Sequence, residues 1–413
     1  MAALQPVRGT HDLLPDEMRR HRAVIDRARA TATLYGFEEM ATPIFEFTDV
    51  FVRTLGDTSD IVTKEMYTFE RSGDSITLRP EGTAGVCRAF ISNGLTQSLP
   101  VKAFYAGPMF RYERPQKGRQ RQFHQFGVEL LGVESPKADI EVLGLGAHIL
   151  DALGLKDKVT LELNTLGDTE SRATYRDALV DYLSAYRDGL SEDSRMRLDK
   201  NPLRILDSKD EGDRKIVADA PVLSAYLNDA SRAFFDELLD GLASMGITYT
   251  VNPRLVRGLD YYCHTAFEFT TTALGAQGTV LAGGRYDGLV GMMGGPATAG
   301  IGWAAGVERL AMLVQDVPDK PRPVALVPMG DKAEKVALEL ADRLRRAGFA
   351  VDMGYGGNMK KRMKRANTVN AVAAIILGED ELTRNEAAVR DLDSGEQTAC
   401  LLATLEESLA RYR

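Results

Sequence analysis

Residues 105–132 constrain this chain more than any other stretch, because they read as a strand, a basic loop and a second strand. An apolar run ends at Phe110 and gives way to Arg111-Tyr112-Glu113-Arg114, then Pro115-Gln116-Lys117-Gly118-Arg119-Gln120, before the pattern resumes at Arg121-Gln122-Phe123-His124-Gln125. Successive side chains of a strand point to opposite faces, so period two puts Arg121, Phe123, Gln125, Gly127 and Glu129 on one face. A cation, a ring, an amide and a carboxylate together suit a nucleotide and an amino acid lying side by side better than they suit solvent. Gly127 among them points to close approach of something bound.

With 413 residues the chain is too long for one ordinary core, so two or three domains are expected. After Pro15, a helix-start residue, Met18, Ile25, Ala28 and Ala32 recur at helical spacing until Gly36. Residues 42–129 then read as short strands separated by turns, including 75–78 and 103–112. A helical insertion spans about 169–246, with Tyr175, Leu179, Tyr182 and Tyr186 on one stripe and Phe234, Leu238 and Leu242 on another. Strand patterns return at 247–251 and 262–271, so the insertion interrupts one sheet instead of ending a domain. Pro318, Pro321 and Pro323 among charged residues mark a linker, which divides the chain into 1–321 and 322–413. Beyond it strand and helix alternate: a strand at 324–327, a helix capped by Asp331 and carrying Val336, Leu340 and Leu344, then a strand at 349–353.

The net charge of -8 means that any polyanion must be met by local basic clusters, and neither DNA nor a membrane is indicated as a partner. One such cluster is Lys360, Lys361, Arg362, Lys364 and Arg365. Cys87, Cys263 and Cys400 lie far apart with no zinc-ligand spacing, so reduced thiols and no metal site are expected. Charges at Arg8, Asp12, Asp16 and Glu17 leave no apolar run for a secretory signal, and the longest apolar runs fall short of the roughly 20 residues of a membrane span. A cytoplasmic protein is the expectation. His124 and His264 have no carboxylate or second histidine at a useful spacing and read as ordinary hydrogen-bonded side chains.

The hairpin at 105–132 resembles motif 2 of the class II aminoacyl-tRNA synthetases, in the form found in the histidyl-tRNA synthetase family. Arg79-Pro80-Glu81-Gly82-Thr83 is similar to that family's amino-acid-binding loop, and Arg257-Gly258-Leu259-Asp260-Tyr261-Tyr262 to its signature peptide. Residues 300–310, from Gly300 through Arg309, resemble motif 3, and Pro43 sits where motif 1 supplies a dimer interface. The resemblance implies an α+β catalytic core with an antiparallel sheet and a helical insertion, followed by an α/β anticodon-binding domain. It implies ATP with Mg2+, L-histidine and tRNA(His) as substrates and partners, no structural metal, and a homodimer. Histidine would be bound by Glu81, Thr83, Gln125, Glu129, Arg257, Tyr261 and Tyr262, and ATP by Arg111, Arg119, Arg121, Phe123 and Arg309. Arg111 and Arg257 would carry catalysis, and Arg114, Gln116, Lys360, Lys361 and Arg362 would meet tRNA. The glycines of motif 3 would leave flat room for a nucleoside. The alternative is a non-catalytic relative, a regulatory subunit of histidine biosynthesis or a sensor of uncharged tRNA.

Overall fold

The computed structural model describes residues 3–56, 61–116, 118–256, 261–275 and 278–413. Lys117, Arg257, Gly258, Leu259 and Asp260 lie outside them. The chain forms two compact units, Met1–Pro318 and Asp319–Arg413.

The strands of the first unit are β1 (Glu38–Glu39), β2 (Phe45–Phe47), β3 (Tyr67–Arg71), β4 (Asp74–Leu78), β5 (Val101–Phe110), β6 (Gln122–Leu131), β7 (Thr160–Thr165), β8 (Tyr249–Val251), β9 (Cys263–Thr270), β10 (Thr279–Arg285) and β11 (Gly300–Gly306). Eight of them form one sheet in the order β1-β5-β6-β11-β10-β9-β7-β8. Every central pairing is antiparallel, and only the edge strands β1 and β8 pair in parallel. A small second sheet, β2-β4-β3, stands apart.

One face of the large sheet is apolar and is covered by helices. The helix Pro15–Leu34 begins with proline and an acidic first turn, both suited to a helix N-terminus, and buries Val24, Ala28 and Ala32. Helix Pro136–Ala152 lays Val142, Leu145 and Ile149 into the same core, and the Trp303 indole N–H donates to the Val142 carbonyl at 3.0 Å. The insertion splits between two cores. Its last helix, Asp229–Ser244, gives Leu238 and Leu242 to the main core, whereas Tyr175, Leu179, Leu183, Leu198 and Val217 from its earlier helices form a core of their own.

In the second unit, β12 (Val324–Pro328), β13 (Val351–Met353), β14 (Ala373–Leu377), β15 (Glu386–Asp391) and β16 (Gln397–Leu401) form a sheet in the order β13-β12-β14-β15-β16. Its first three strands are parallel, and β14, β15 and β16 run antiparallel in turn. Helix Asp331–Arg346 has Gly330 at its cap, so Asp331 is its first helical residue and acts on the helix dipole, not as the cap.

Candidate active site

The register of the central strands explains how the second face of the sheet becomes a site. Gln125 stands opposite Gly306, Gly127 opposite Ala304 and Glu129 opposite Gly302, so β11 offers small residues beside the functional side chains of β6. Together with β10, the hairpin and the loop after β4, these strands enclose a cavity of about 320 Å³. Glu81, Thr83, Gln125, Tyr261 and Tyr262 line it, as do Arg111, Arg119, Phe123 and Arg309.

Glu129 does not line it: it is fully buried behind Thr83, which does. The Thr83 hydroxyl donates to its Oε1 at 2.7 Å and the Tyr286 hydroxyl to its Oε2. Burial pushes its carboxyl up to about 8, with the neighbouring Glu81 adding to the shift and the two hydroxyl donors opposing it. Tyr286 was not singled out from the sequence as a site residue; the available signal was its place at the end of a glycine-rich strand.

Glu81 caps the helix Thr83–Ser92: its carboxylate accepts from the backbone N–H of Thr83 at 2.6 Å and of Ala84 at 2.8 Å. Burial raises its pKa despite these bonds. The loop that carries it is held by Arg79, which is buried and donates to the carbonyls of Pro108 and Thr42 at 2.9 and 3.0 Å. The Gln125 side-chain oxygen is buried with no hydrogen-bond partner among the described residues. Tyr261 and Tyr262 both reach the cavity, with ring centroids 4.6 Å apart, because they precede β9 and escape strand alternation.

At the other end, Arg111 donates from Nε to the Pro80 carbonyl at 2.8 Å and lies over the Phe123 ring, 5.5 Å from its centroid. Arg119 pairs with Glu113 at 2.6 Å. Arg309 donates to the carbonyls of Thr279 and Gly118 at 2.5 and 3.3 Å, and burial lowers its pKa.

Several expectations need correction. Arg121 does not line the cavity. It precedes β6, where alternation has not begun, and its guanidinium donates to the Glu113 and Arg8 carbonyls at 3.2 Å each while lying 3.8 Å from the Tyr112 ring centroid. The close approach at Gly127 comes from the protein: a Cβ there would stand 2.5 Å from the Tyr105 hydroxyl and 2.6 Å from the Trp303 carbonyl. The motif 3 glycines likewise make room for neighbouring side chains, since a Cβ on Gly302 would collide with the Glu129 carboxylate and one on Gly300 with the Tyr286 ring.

His124 does have partners. Its Nδ1 lies 2.9 Å from Glu308, whose carboxylate also accepts its backbone N–H, and its ring meets His21. The His264 ring stacks on Phe234 at 4.5 Å, and its Nδ1 is buried without a hydrogen-bond partner among the described residues.

Arg114 and Gln116 are exposed on the hairpin loop, and Lys360 and Lys361 are exposed on helix Met359–Thr368. Arg362 is not: it is 5% exposed, and its guanidinium is used up by the Gly357 carbonyl at 2.8 Å, the Gly354 carbonyl and Glu334. A helix with period 3.6 must turn some member of a basic run inward, and here it is Arg362.

A family model described as histidyl-tRNA synthetase matches residues 9–310, and one described as an anticodon binding domain matches residues 323–411. The chain is 65% identical to the histidine–tRNA ligase of Rhodospirillum rubrum, with 100% of each chain covered. It is 59% identical to that of Gluconacetobacter diazotrophicus, with 99% of each covered. The crystal structure of apo S. aureus histidyl-tRNA synthetase matches it with a TM-score of 0.84 at 36% identity, covering 98% of this chain and 99% of that one.

Proposed function

The chain belongs to the histidyl-tRNA synthetase family, and from that premise we propose how its cavity divides the work of the reaction. That reaction activates histidine with ATP to histidyl-adenylate and pyrophosphate, then transfers histidine to the 3′-terminal adenosine of tRNA. Identity to ligases over the whole chain favours this over the regulatory or sensor reading.

The observation that carries the proposal is that residues as far apart in sequence as Glu81 and Arg309 line a single cavity, with Glu81, Gln125 and two tyrosines in one part and three arginines in another. We assign the acidic end to histidine. Glu81 and Gln125 hold its ammonium with help from Thr83: a carboxylate has about four lone-pair sites, so the two backbone N–H groups on Glu81 leave room for a third donor. Glu129, Tyr262 and Tyr261 surround the imidazole. A carboxyl with a pKa of about 8 accepts a ring N–H when ionised and donates to a bare ring nitrogen when protonated, so Glu129 suits either tautomer.

The cationic end takes ATP. Arg111 holds the α-phosphate as the histidine carboxylate attacks it, Arg119 and Arg309 hold the remaining phosphates, and Phe123 supports the adenine. We leave Arg121 out of this set. Arg257 supplies positive charge on the far side of the transferring group, as the family resemblance implies. Magnesium fits this end, because Glu113 and Glu268 line it and offer the hard oxygen ligands that ion takes. There it would neutralise phosphate charge.

For tRNA we propose Arg114 and Gln116 at the hairpin loop and Lys360 and Lys361 in the second unit, with 1–321 as the catalytic part and 322–413 as the anticodon-binding part. Exposed Ile44, Phe45, Phe47 and Phe69, on and beside the small sheet, support a homodimer at this apolar patch. No described helix is long and apolar enough to cross a membrane, and we place the reaction in the cytoplasm.

ATP–pyrophosphate exchange in two variants tests the division. Gln125→Ala should raise the KM for histidine at least about tenfold and leave that for ATP unchanged, as loss of a hydrogen bond to a charged group predicts. Arg119→Ala should do the reverse. An ATP KM that rises in step with the histidine KM in Gln125→Ala would overturn the assignment.

A further inference from the structure

Of the chain's five histidines, His11, His21 and His124 gather in the fold although the sequence keeps His124 far from the other two. His11 and His21 line a second cavity of about 270 Å³ with Glu17, Arg20 and Glu308, and Glu308 lines the substrate cavity as well. One ligand atom from each of His21, His124 and Glu308 lies within 4.8 Å of the other two. The rings of His21 and His124 meet edge to face with centroids 5.7 Å apart.

His21 supplies an independent sign of a ligand. It is 6% exposed, and its Nδ1 is buried with no hydrogen-bond partner among the described residues. Buried polar atoms are nearly always partnered, so an orphaned nitrogen on a ring that sits beside a second imidazole and a carboxylate calls for an explanation. Burial also holds this imidazole below its ordinary pKa, which favours the neutral form that offers a lone pair. The Glu308 carboxylate lies 2.9 Å from His124 Nδ1, so a cation bound by both takes the place of the hydrogen between them.

We propose that His21, His124 and Glu308 form a binding site for a borderline-soft divalent cation such as Zn2+ or Cu2+. Two imidazoles and a carboxylate select such ions, whereas Mg2+ and Ca2+ prefer oxygen alone. Zn–N bonds of about 2.0–2.1 Å set tetrahedral ligand atoms about 3.3 Å apart, so the three atoms, all within 4.8 Å of one another, have at most about 1.5 Å to draw together. The ion joins helix Pro15–Leu34, β6 and helix Val307–Leu313, one residue from Arg309, and water reaches its remaining coordination positions from the second cavity.

The test uses the full chain. Equilibrium dialysis against Zn2+ should show one ion per chain, and His21→Gln should weaken it by at least about tenfold, the loss that even an outer-shell partner costs. His148→Gln, at an exposed histidine elsewhere, should leave binding unchanged. Electron paramagnetic resonance of the wild-type protein with one equivalent of Cu2+ should show coupling to imidazole nitrogens, a readout that does not depend on any variant folding. Zn2+ binding equal in wild type and folded His21→Gln, or a Cu2+ spectrum without nitrogen coupling, would overturn the site.

Discussion

At the end of the cavity lined by Glu81, with Glu129 behind Thr83, both carboxyls are buried and already gripped by hydroxyl and backbone N–H donors. At the other end Arg111, Arg119 and Arg309 are half-buried, and carbonyls and one carboxylate hold them. The first arrangement fixes geometry before a substrate arrives, at the expense of burying ionisable groups. The second keeps formal charge within reach of a polyanion. The same cavity can therefore recognise a small zwitterion by position and a nucleotide by charge.

The largest effect should come from the cationic end. Arg111→Ala should slow histidyl-adenylate formation about 10²–10³-fold, the usual consequence of removing one group that stabilises developing charge, while histidine affinity changes little. Rapid-quench adenylation alongside histidine titration separates the two quantities. Equal losses in both would erase the distinction between the ends.

A smaller effect, on stability, belongs to the acidic end. Burial lifts the Glu129 pKa from 4.5 to about 8, so between those values the folded chain keeps a proton that the unfolded chain has lost. Stability contributed by that proton is present below about pH 4.5 and is lost as pH rises through about 8. The melting temperature of the wild type should therefore fall more steeply between about pH 5 and about pH 8 than that of Glu129→Gln. Parallel curves would mean that Glu129 titrates normally.

The smallest effect extends the contrast between committed and available groups to the second unit. Replacing Lys360 and Lys361 together by alanine should raise the KM for tRNA severalfold and reduce its salt dependence, since exposed cations act through phosphate. Arg362→Ala should instead lower the melting temperature of that unit, because its guanidinium ties two carbonyls to Glu334. A tRNA KM that follows Arg362 and ignores the lysines would reverse these roles.

Period-two alternation put Phe123 and Gln125 on the cavity wall because they share a regular strand, left Glu129 buried farther along the same face, and did not hold at Arg121 because the strand begins one residue later. Motif spacing brought out Glu81, Arg111 and Arg309, whose places depend on local turns. Partnerships across the fold were not legible in this way. The Tyr286 hydroxyl on Glu129, the Tyr105 ring against Gly127 and the Glu308 carboxylate on His124 each join strands or helices through sheet register, which a single chain of letters does not display. Inward rotation of Arg362 also depended on packing, because a run of five basic residues within six positions covers more than one helix face.

The central claim is that Glu129 reads the imidazole and leaves ATP to the other end. Pyrophosphate exchange by Glu129→Gln, measured as a function of histidine and then of ATP, tests it most directly. An amide cannot ionise, so it loses the charge-assisted hydrogen bond, worth roughly 1.5–3 kcal/mol, that the carboxylate makes to the ring N–H; above about pH 8 kcat/KM for histidine should fall about ten- to a hundredfold while the KM for ATP stays within about twofold. An unchanged histidine specificity constant in the folded variant, or equal losses for both substrates, would contradict the account.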